Sequence, residues 1–317
     1  MKVNVEEVRK ALDELFSSRE IEDKDVLIDH FLEAELRGKS SHGLLRVIPL
    51  IKGVDIGTIR RKVEYEVVKR SPSSLLIDGR HSIGIAIWNR LISGNFMNAV
   101  NILCVRNSSH IGFLGYYTQK LAKRGYIAIM FGNGEPIVVN PENGKRVLST
   151  SPLSVGIPPD YVLDSSLASI SRGKIMDYLN KGMKLPKGVA VDVEGRETEN
   201  PEEALKGGIL PIGGFKGFLI ALTLDLLVSY LTGLALSVDV VGVLNTERES
   251  NKGEVMIVLN PEYFEGKGDA VKKIEGILKE KPGARSTRIR EENLKKGYIE
   301  VEEKLWKKIL DLKRVNH

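Results

Sequence analysis

Two of the five histidines stand in segments whose neighbours could handle a proton and an anion together. In RGKSSHGLLR, residues 37–46, His42 lies in a Gly- and Ser-rich turn with Arg46 four residues further on. An imidazole exchanges protons near neutral pH, and a guanidinium grips a carboxylate by a two-pronged hydrogen bond. That spacing allows one small substrate to touch both. In VRNSSHIGFLGYYT, residues 105–118, His110 follows an apolar strand and precedes a helix, where α/β proteins place ligand-binding groups. Asn107, Ser108 and Ser109 add polar groups there, and Gly112 and Gly115 permit close backbone approach. A third segment, VLDSSLASISRGKI, residues 162–175, reads as a strand end, a Ser-rich turn and a helix, with small hydroxyl residues at the helix N-terminus. Free N–H groups and the positive dipole end suit a phosphate there. Lys216 in GGFKGF could add a fixed positive charge. Taken singly, each segment also has an ordinary reading as a surface histidine, a turn or a Ser-rich cap.

The elements that must position these residues follow from periodicity. Asn4 should cap a first amphipathic helix carrying Val8, Leu12 and Leu15 on one face. A second helix carries Val26, Leu27, Phe31 and Ala34, and Gly38 ends it, which leaves His42 in the following turn. From residue 64 onward, YEVVKRSPSSLLIDGRHSIG reads as strand, turn, strand, turn. LISGNFMNAVNILCVR runs from helix into a strand at Ile102–Val105, and GYYTQKLAKRGYIAIMF gives a helix and a strand at Ile127–Phe131. A strand at EVMIVLN leads into a helical tail. This alternation predicts an α/β (α+β) core.

Composition limits what the chain can be. The hydrophobic share of 42% and charged share of 28% are those of an ordinary soluble globular protein. One cysteine, Cys104, excludes an internal disulfide and a Cys-cluster zinc site, and no metal site is expected. The first residues form a charged helix rather than a signal peptide, so a cytoplasmic location is expected. A net charge of +5 and a pI near 9.0 raise the question of nucleic acid. The basic residues near the C-terminus, however, are interleaved with Glu and lack aromatic partners, so no nucleic-acid partner is expected. GFLIALTLDLLVSYLTGLAL is apolar enough to suggest a membrane span. Asp225 within it and Gly233 near its end favour a buried helix or an oligomer interface, so no membrane partner is expected either. Abundant Lys, Glu and Ile with little Cys hint at a thermophilic source.

Several motifs are missing. The sequence has no G-x-G-x-x-G after a strand, no P-loop, no G-x-S-x-G and no H-E-x-x-H. A Rossmann site, a P-loop NTPase, an α/β-hydrolase and a zincin all lose their usual support.

Seven segments then fall in one order and spacing: RGKSSHGLLR, IDGRHSIG, VRNSSHIGFLGYY, LSTSPLSVGIP, VLDSSLASISRGKI, GVAVDVEGRET and GGFKGF. Over nearly the whole chain, as far as PGARSTRIREENLKKGYIEV, the sequence resembles the malate/L-lactate dehydrogenase family, also called sulfolactate dehydrogenase-like. The resemblance implies a non-Rossmann NAD(P)-binding fold with helical N- and C-terminal parts. It implies residues 1–75 with 270–317 as a discontinuous helical part for dimerisation and substrate, around an α/β core at 76–269 with the nucleotide-binding segment. The implied activity is NAD(P)-dependent interconversion of a 2-oxo acid and a 2-hydroxy acid by a homodimer. The alternatives are reduction of another C=O or C=N substrate, of the diketogulonate, cyclic imine or ureidoglycolate type, or a catalytically silent homologue. His42 and His110 match the family's catalytic histidines, Asp192 an aspartate that could orient an imidazole, and Arg46 the carboxylate anchor. Thr150, Leu163, Asp164, Ser165, Ser166, Ala168, Ser169, Lys216, Gly217 and Gly283 match segments that contact NAD or NADP. The sequence departs from the family's usual G-T-N-P with STSP, from L-D-M-A-T-S with LDSSLAS, and from P-G-E with PGA. All three departures lie on the nucleotide side.

Overall fold

The structure, a computed structural model, describes residues 1–265, 269–274 and 276–314. Its centre is a seven-stranded sheet. The strand order is Glu66–Arg70, Ser74–Asp78, Val100–Arg106, Gly253–Leu259, Ile127–Gly132, Pro152–Ile157 and Tyr161–Ser166. Only Ser74–Asp78 and Val100–Arg106 run parallel; every other neighbouring pair is antiparallel. The late strand Gly253–Leu259 is inserted in the middle, with Met256 opposite both Leu103 and Met130.

Side chains alternate across this sheet and feed two layers. Ile77, Leu103, Val105, Met130, Met256 and Val258 join the main core. Against that face pack the helices Val5–Ser17, Lys24–Leu36, Gly84–Ile92 and Gly115–Lys123, together with Leu305, Trp306 and Ile309 of Glu303–Arg314. Leu12, Leu15, Phe16, Phe31 and Trp88 are sealed from solvent; each such side chain stabilises the fold by about 1.5–3 kcal/mol. The N- and C-terminal parts are tied together by the strands Lys2–Asn4 and Tyr298–Glu300. Asn4 caps the first helix through the Glu6 N–H, as its sequence predicts.

On the opposite face, Cys104, Phe131 and Val255 meet Val228 of the helix Phe215–Thr232. Among the described residues this helix alone is long and apolar enough to cross a bilayer. It lies against the sheet, and its buried Asp225 accepts hydrogen bonds of 2.9 Å from the Ser237 N–H and hydroxyl. Its outer side remains apolar and open, with Ile220, Leu226 and Tyr230 exposed. A separate core of Val138, Leu148, Ile175, Leu185, Ile209 and Phe218 lies under a small four-stranded sheet and the helix Arg172–Asn180.

Two local expectations need correction. The helix before Val100 is Gly84–Ile92, and it ends before the GNFM segment, where Ser93 and Gly94 close the last turn. LDSS is not a helix N-terminus: Asp164, Ser165 and Ser166 complete the edge strand Tyr161–Ser166, and only Ser171 caps the helix that follows. Alternating Tyr161, Leu163 and Ser165 against Val162, Asp164 and Ser166 satisfies an edge strand as well as a turn.

Candidate active site

The turn that carries His42 is built on the helix Lys24–Leu36. Gly38, at φ +71°, ends that helix, and two short 3-10 turns, Ser40–His42 and Leu44–Arg46, follow. The buried carboxylate of Glu35 accepts the Leu44 N–H at 2.7 Å and so holds the second turn to the helix. A Cβ on Gly43 would lie 2.2 Å from that carboxylate, so a larger residue would have to displace it from the Leu44 N–H. Burial pushes the Glu35 carboxyl up to about 7, against the opposing pull of the Leu44 N–H. Arg46 donates from Nε to the Ser41 carbonyl at 2.7 Å, which leaves its two terminal nitrogens for a ligand.

His110 sits on the loop between Val100–Arg106 and Gly115–Lys123, as expected. The loop is pinned by the Ser109 N–H on the Ser82 carbonyl and by the Ile85 N–H on the His110 carbonyl. Its far end rests on His30, whose Nε2 accepts the Phe113 N–H at 3.2 Å. Gly112, at φ +74°, passes so close that a Cβ would fall 1.7 Å from His30 Nε2.

These supports bring the two predicted histidines together. The His42 and His110 rings are parallel within 9° at a centroid distance of 6.2 Å, and Phe31 stacks behind His110 at 6.4 Å. His42 Nδ1 and His110 Nε2 are buried and have no hydrogen-bond partner in the protein. Leaving such a group unpaired costs about 1–3 kcal/mol, so each is a place where a bound molecule gains. Burial and the nearby Arg46 charge lower His42 to about 4, opposed by Asp164 and the Gly112 carbonyl. His110 is driven well below the ordinary imidazole range, first by burial and then by Arg46. Both rings are therefore neutral near pH 7.

His42, Arg46 and His110 face a cleft of about 470 Å³, within the range of small-molecule sites. Thr150, Asp164, Ser165 and Ser166 line it too. At the Lys39–Asp164 ion pair, 2.5 Å long, it meets a second cleft of about 930 Å³ that Gly283 lines. The two clefts share Gly38, Lys39, Phe113 and Asp164. The other predicted cofactor residues are not brought here. Leu163 gives its carbonyl to Ser154, Ala168 bridges to Pro211, and Ser169 bonds the Pro211 carbonyl. Lys216 and Gly217 open the helix Phe215–Thr232 and line neither cleft, and a Cβ on Gly217 would strike the Ile212 carbonyl. Asp192 lies apart from the two histidines. Its carboxylate accepts the Glu194 and Arg196 N–H groups at 2.9 Å and pairs with Arg196 at 3.0 Å, so within one chain it orients no imidazole. Asp164 is the carboxylate whose charge His42 feels.

Sequence reasoning missed four charged residues of the cleft, Lys39, Glu135, Arg172 and Lys252. Lys252 is almost fully buried, is ion-paired to Glu254 and donates to Ser108, while Trp88 Nε1 and the Ser108 hydroxyl donate to the other Glu254 oxygen. Its charge is felt by His110. Glu135 and Arg172 face each other at 3.6 Å and line the same cleft as Arg46. No local pattern singles these residues out: Lys252 and Arg172 stand near other charges, and Glu135 is a lone acid in a Gly/Asn/Pro-rich loop. Among the described residues no His, Cys, Asp and Glu cluster could hold a metal ion.

The malate/L-lactate dehydrogenase family model matches residues 3–310. The chain belongs to that family. It is 35% identical over 267 residues to the L-sulfolactate dehydrogenase of Methanocaldococcus jannaschii, covering 82% of this chain and 77% of that one. It is 30% identical to the malate/(S)-sulfolactate dehydrogenase of Methanothermus fervidus, over 98% of this chain and 97% of that one. The solved structure of the M. jannaschii enzyme superposes with a TM-score of 0.90, covering 100% of this chain and 97% of that one. The fold is thus the sulfolactate dehydrogenase fold, with no Rossmann fingerprint. The two adjoining clefts, the first lined by His42 and His110, have room for the nicotinamide dinucleotide that the homologous dehydrogenases imply. Of the residues matched to cofactor-contacting segments, Thr150, Asp164, Ser165 and Ser166 line the first cleft, and Asp164 and Gly283 line the second.

Proposed function

We propose that this protein is an NAD(P)-dependent oxidoreductase that interconverts a 2-oxo acid and a 2-hydroxy acid. The observation that carries this reading is the pair of stacked histidines with unpartnered buried nitrogens beside Arg46 in one cleft. When bound, the nicotinamide supplies or accepts the hydride at C2. Arg46 grips the C1 carboxylate with its two free nitrogens and fixes C2 relative to the rings. In oxidation, a neutral imidazole, His42 or His110, takes the hydroxyl proton at its free nitrogen. In reduction, the same nitrogen returns a proton to the C2 oxygen. Arg46 links these roles. Its charge lowers both imidazoles, so a carboxylate that neutralises it raises them towards a protonated, donating state. The buried Glu254–Lys252–Ser108 cluster supports the His110 loop from beneath.

A homodimer belongs to this reading. The open apolar side of Phe215–Thr232, with Leu219, Ile220, Leu226 and a 90% exposed Tyr230, is a surface that a second copy would cover. Sedimentation should give twice the mass of one chain, and a monomer would contradict this part.

The test is an activity panel of oxaloacetate, pyruvate and sulfopyruvate with NADH and NADPH, alongside thermal melts with all four cofactor forms. The expected result is 2-oxo-acid-dependent cofactor oxidation, with Tm raised by the cofactor that is used. No turnover and no shift with any form would refute the reading.

A further inference from the structure

Arg46 can hold one acid group, yet the cleft contains a second guanidinium. Arg172 opens the helix Arg172–Asn180, and the next residue, Gly173, lies against the histidine-bearing turn: a Cβ there would be 3.1 Å from Ser41 Cβ. Arg172 therefore lines the same cleft as His42, beside the turn that carries it. The other cations of the cleft are committed more closely. Lys39 is 2.5 Å from Asp164, and Lys252 is buried against Glu254. Arg172 instead meets Glu135 at 3.6 Å, with the two side chains 51% and 39% exposed. So long and open a pair is weak, and the guanidinium can be transferred from Glu135 to a ligand at little cost. Arg46, Arg172 and Glu135 also share one field: Glu135 strengthens and Arg172 weakens the hold of Arg46 on its proton. Two guanidiniums around one carboxylate leave a net positive site before substrate enters. One carboxylate neutralises it; a second acid group displaces Glu135 and takes Arg172.

We propose that Arg172 binds the second acid group, a carboxylate or a sulfonate, of a doubly acidic 2-oxo or 2-hydroxy acid, and that Glu135 holds it in readiness when the site is empty. This rests on the reading in the preceding subsection. It makes Arg172 the residue that sets preference for dianionic over monoanionic substrates, while Arg46 serves both.

The test compares kcat/KM for oxaloacetate and sulfopyruvate, which carry two acid groups, with that for pyruvate, which carries one. Wild type, Arg172→Gln, Arg172→Lys and Glu135→Gln are measured with the preferred reduced cofactor. Wild type should prefer the dianions. Arg172→Gln should lose at least about tenfold on them, mainly through KM, as expected for a hydrogen-bonded charge pair, and change little on pyruvate. Arg172→Lys should recover part of the loss, and Glu135→Gln should lower KM for the dianions. An unchanged dianion-to-pyruvate ratio in Arg172→Gln, or an equal loss on all three substrates, overturns the proposal. Binding is read independently by thermal melts with malate, sulfolactate and lactate. If no substrate turns over, a larger Tm rise with the two dianions that vanishes in Arg172→Gln still supports it. Equal rises with all three ligands overturn it.

Discussion

The two walls of the cleft are built differently. The near wall carries His42, Arg46 and His110, and it rests on the largest core of the molecule through Glu35, Leu44, His30 and Phe31, all buried. The cleft is also lined by Glu135, Ser165, Ser166 and Arg172, which lie beside the smaller second core and the edge strand and are partly or fully exposed. On the near side the two turns are held by close approaches, Gly43 against the Glu35 carboxylate and Gly112 against the His30 ring. On the far side the charges are paired loosely. Rigid proton chemistry faces adjustable recognition, and the sequence departures STSP and LDSSLAS fall on the adjustable side.

Breaking the near wall should have the largest effect. His42→Ala and His110→Ala should each reduce kcat by roughly 100- to 10,000-fold, the usual contribution of a positioned acid–base group. Ser165→Ala on the far wall should change kcat by less than about threefold. Steady-state rates on both sets sharpen the contrast, and equal losses would erase it.

Glu35 tests whether the near wall is fixed from behind. Its folded carboxyl is raised from 4.5 to about 7, so the folded state binds more protons than the unfolded chain between those values. Stability from this group is present in full below pH 4.5 and is lost as pH rises to about 7, a change of about 3 kcal/mol. Denaturant melts of Glu35→Gln against wild type should show the variant gaining relative stability across that window. A difference that does not vary with pH would contradict the assignment. Glu35→Ala should also lower kcat, because the Leu44 N–H loses its acceptor.

The pH profile of the forward and reverse reactions tests the neutral histidines. For hydroxy-acid oxidation, kcat/KM reports the free protein, and its acidic limb should fall near pH 4 to 5, following His42 at about 4. An acidic limb near 6.5 would show an imidazole exposed to water. The smallest effect belongs to the far wall. Ser151 takes a left-handed φ of +43°, which Asn tolerates better, but it is buried, so in thermal melts Ser151→Asn should change stability by less than about 1 kcal/mol, the easier backbone offset by the larger side chain, with little change in activity.

Much of the near wall was readable. Asn4, the helical spacing of Leu12 and Leu15, and the Gly38 stop place His42 in its turn, and an apolar strand before Asn107 places His110 on its loop. What was not readable depends on distant pairing. Gly253–Leu259 fills the centre of the sheet between strands more than 100 residues earlier, and nothing local to EVMIVLN marks it as central. Asp164 reaches Lys39 across the fold, although its Ser-rich setting resembles a cap more than an edge strand. Asp192, Lys216 and Gly217 were matched to motifs whose positions in one chain lie elsewhere. Nothing local marks Glu35, Lys252 or Arg172, because the value of the first two lies in burial and that of Arg172 in a partner distant in the chain, Glu135.

The central claim is that His42 and His110 carry the proton of a hydride-transfer reaction anchored by Arg46. Its most direct test is single-turnover reduction of a 2-oxo acid by pre-bound reduced cofactor in His42→Ala, His110→Ala and the double variant, with cofactor affinity measured on the same samples. The account predicts intact cofactor binding with the turnover rate reduced at least about 100-fold in each single variant, and a double variant little worse than the more impaired single one, as groups acting as a unit show. Wild-type turnover rates in both single variants would contradict it.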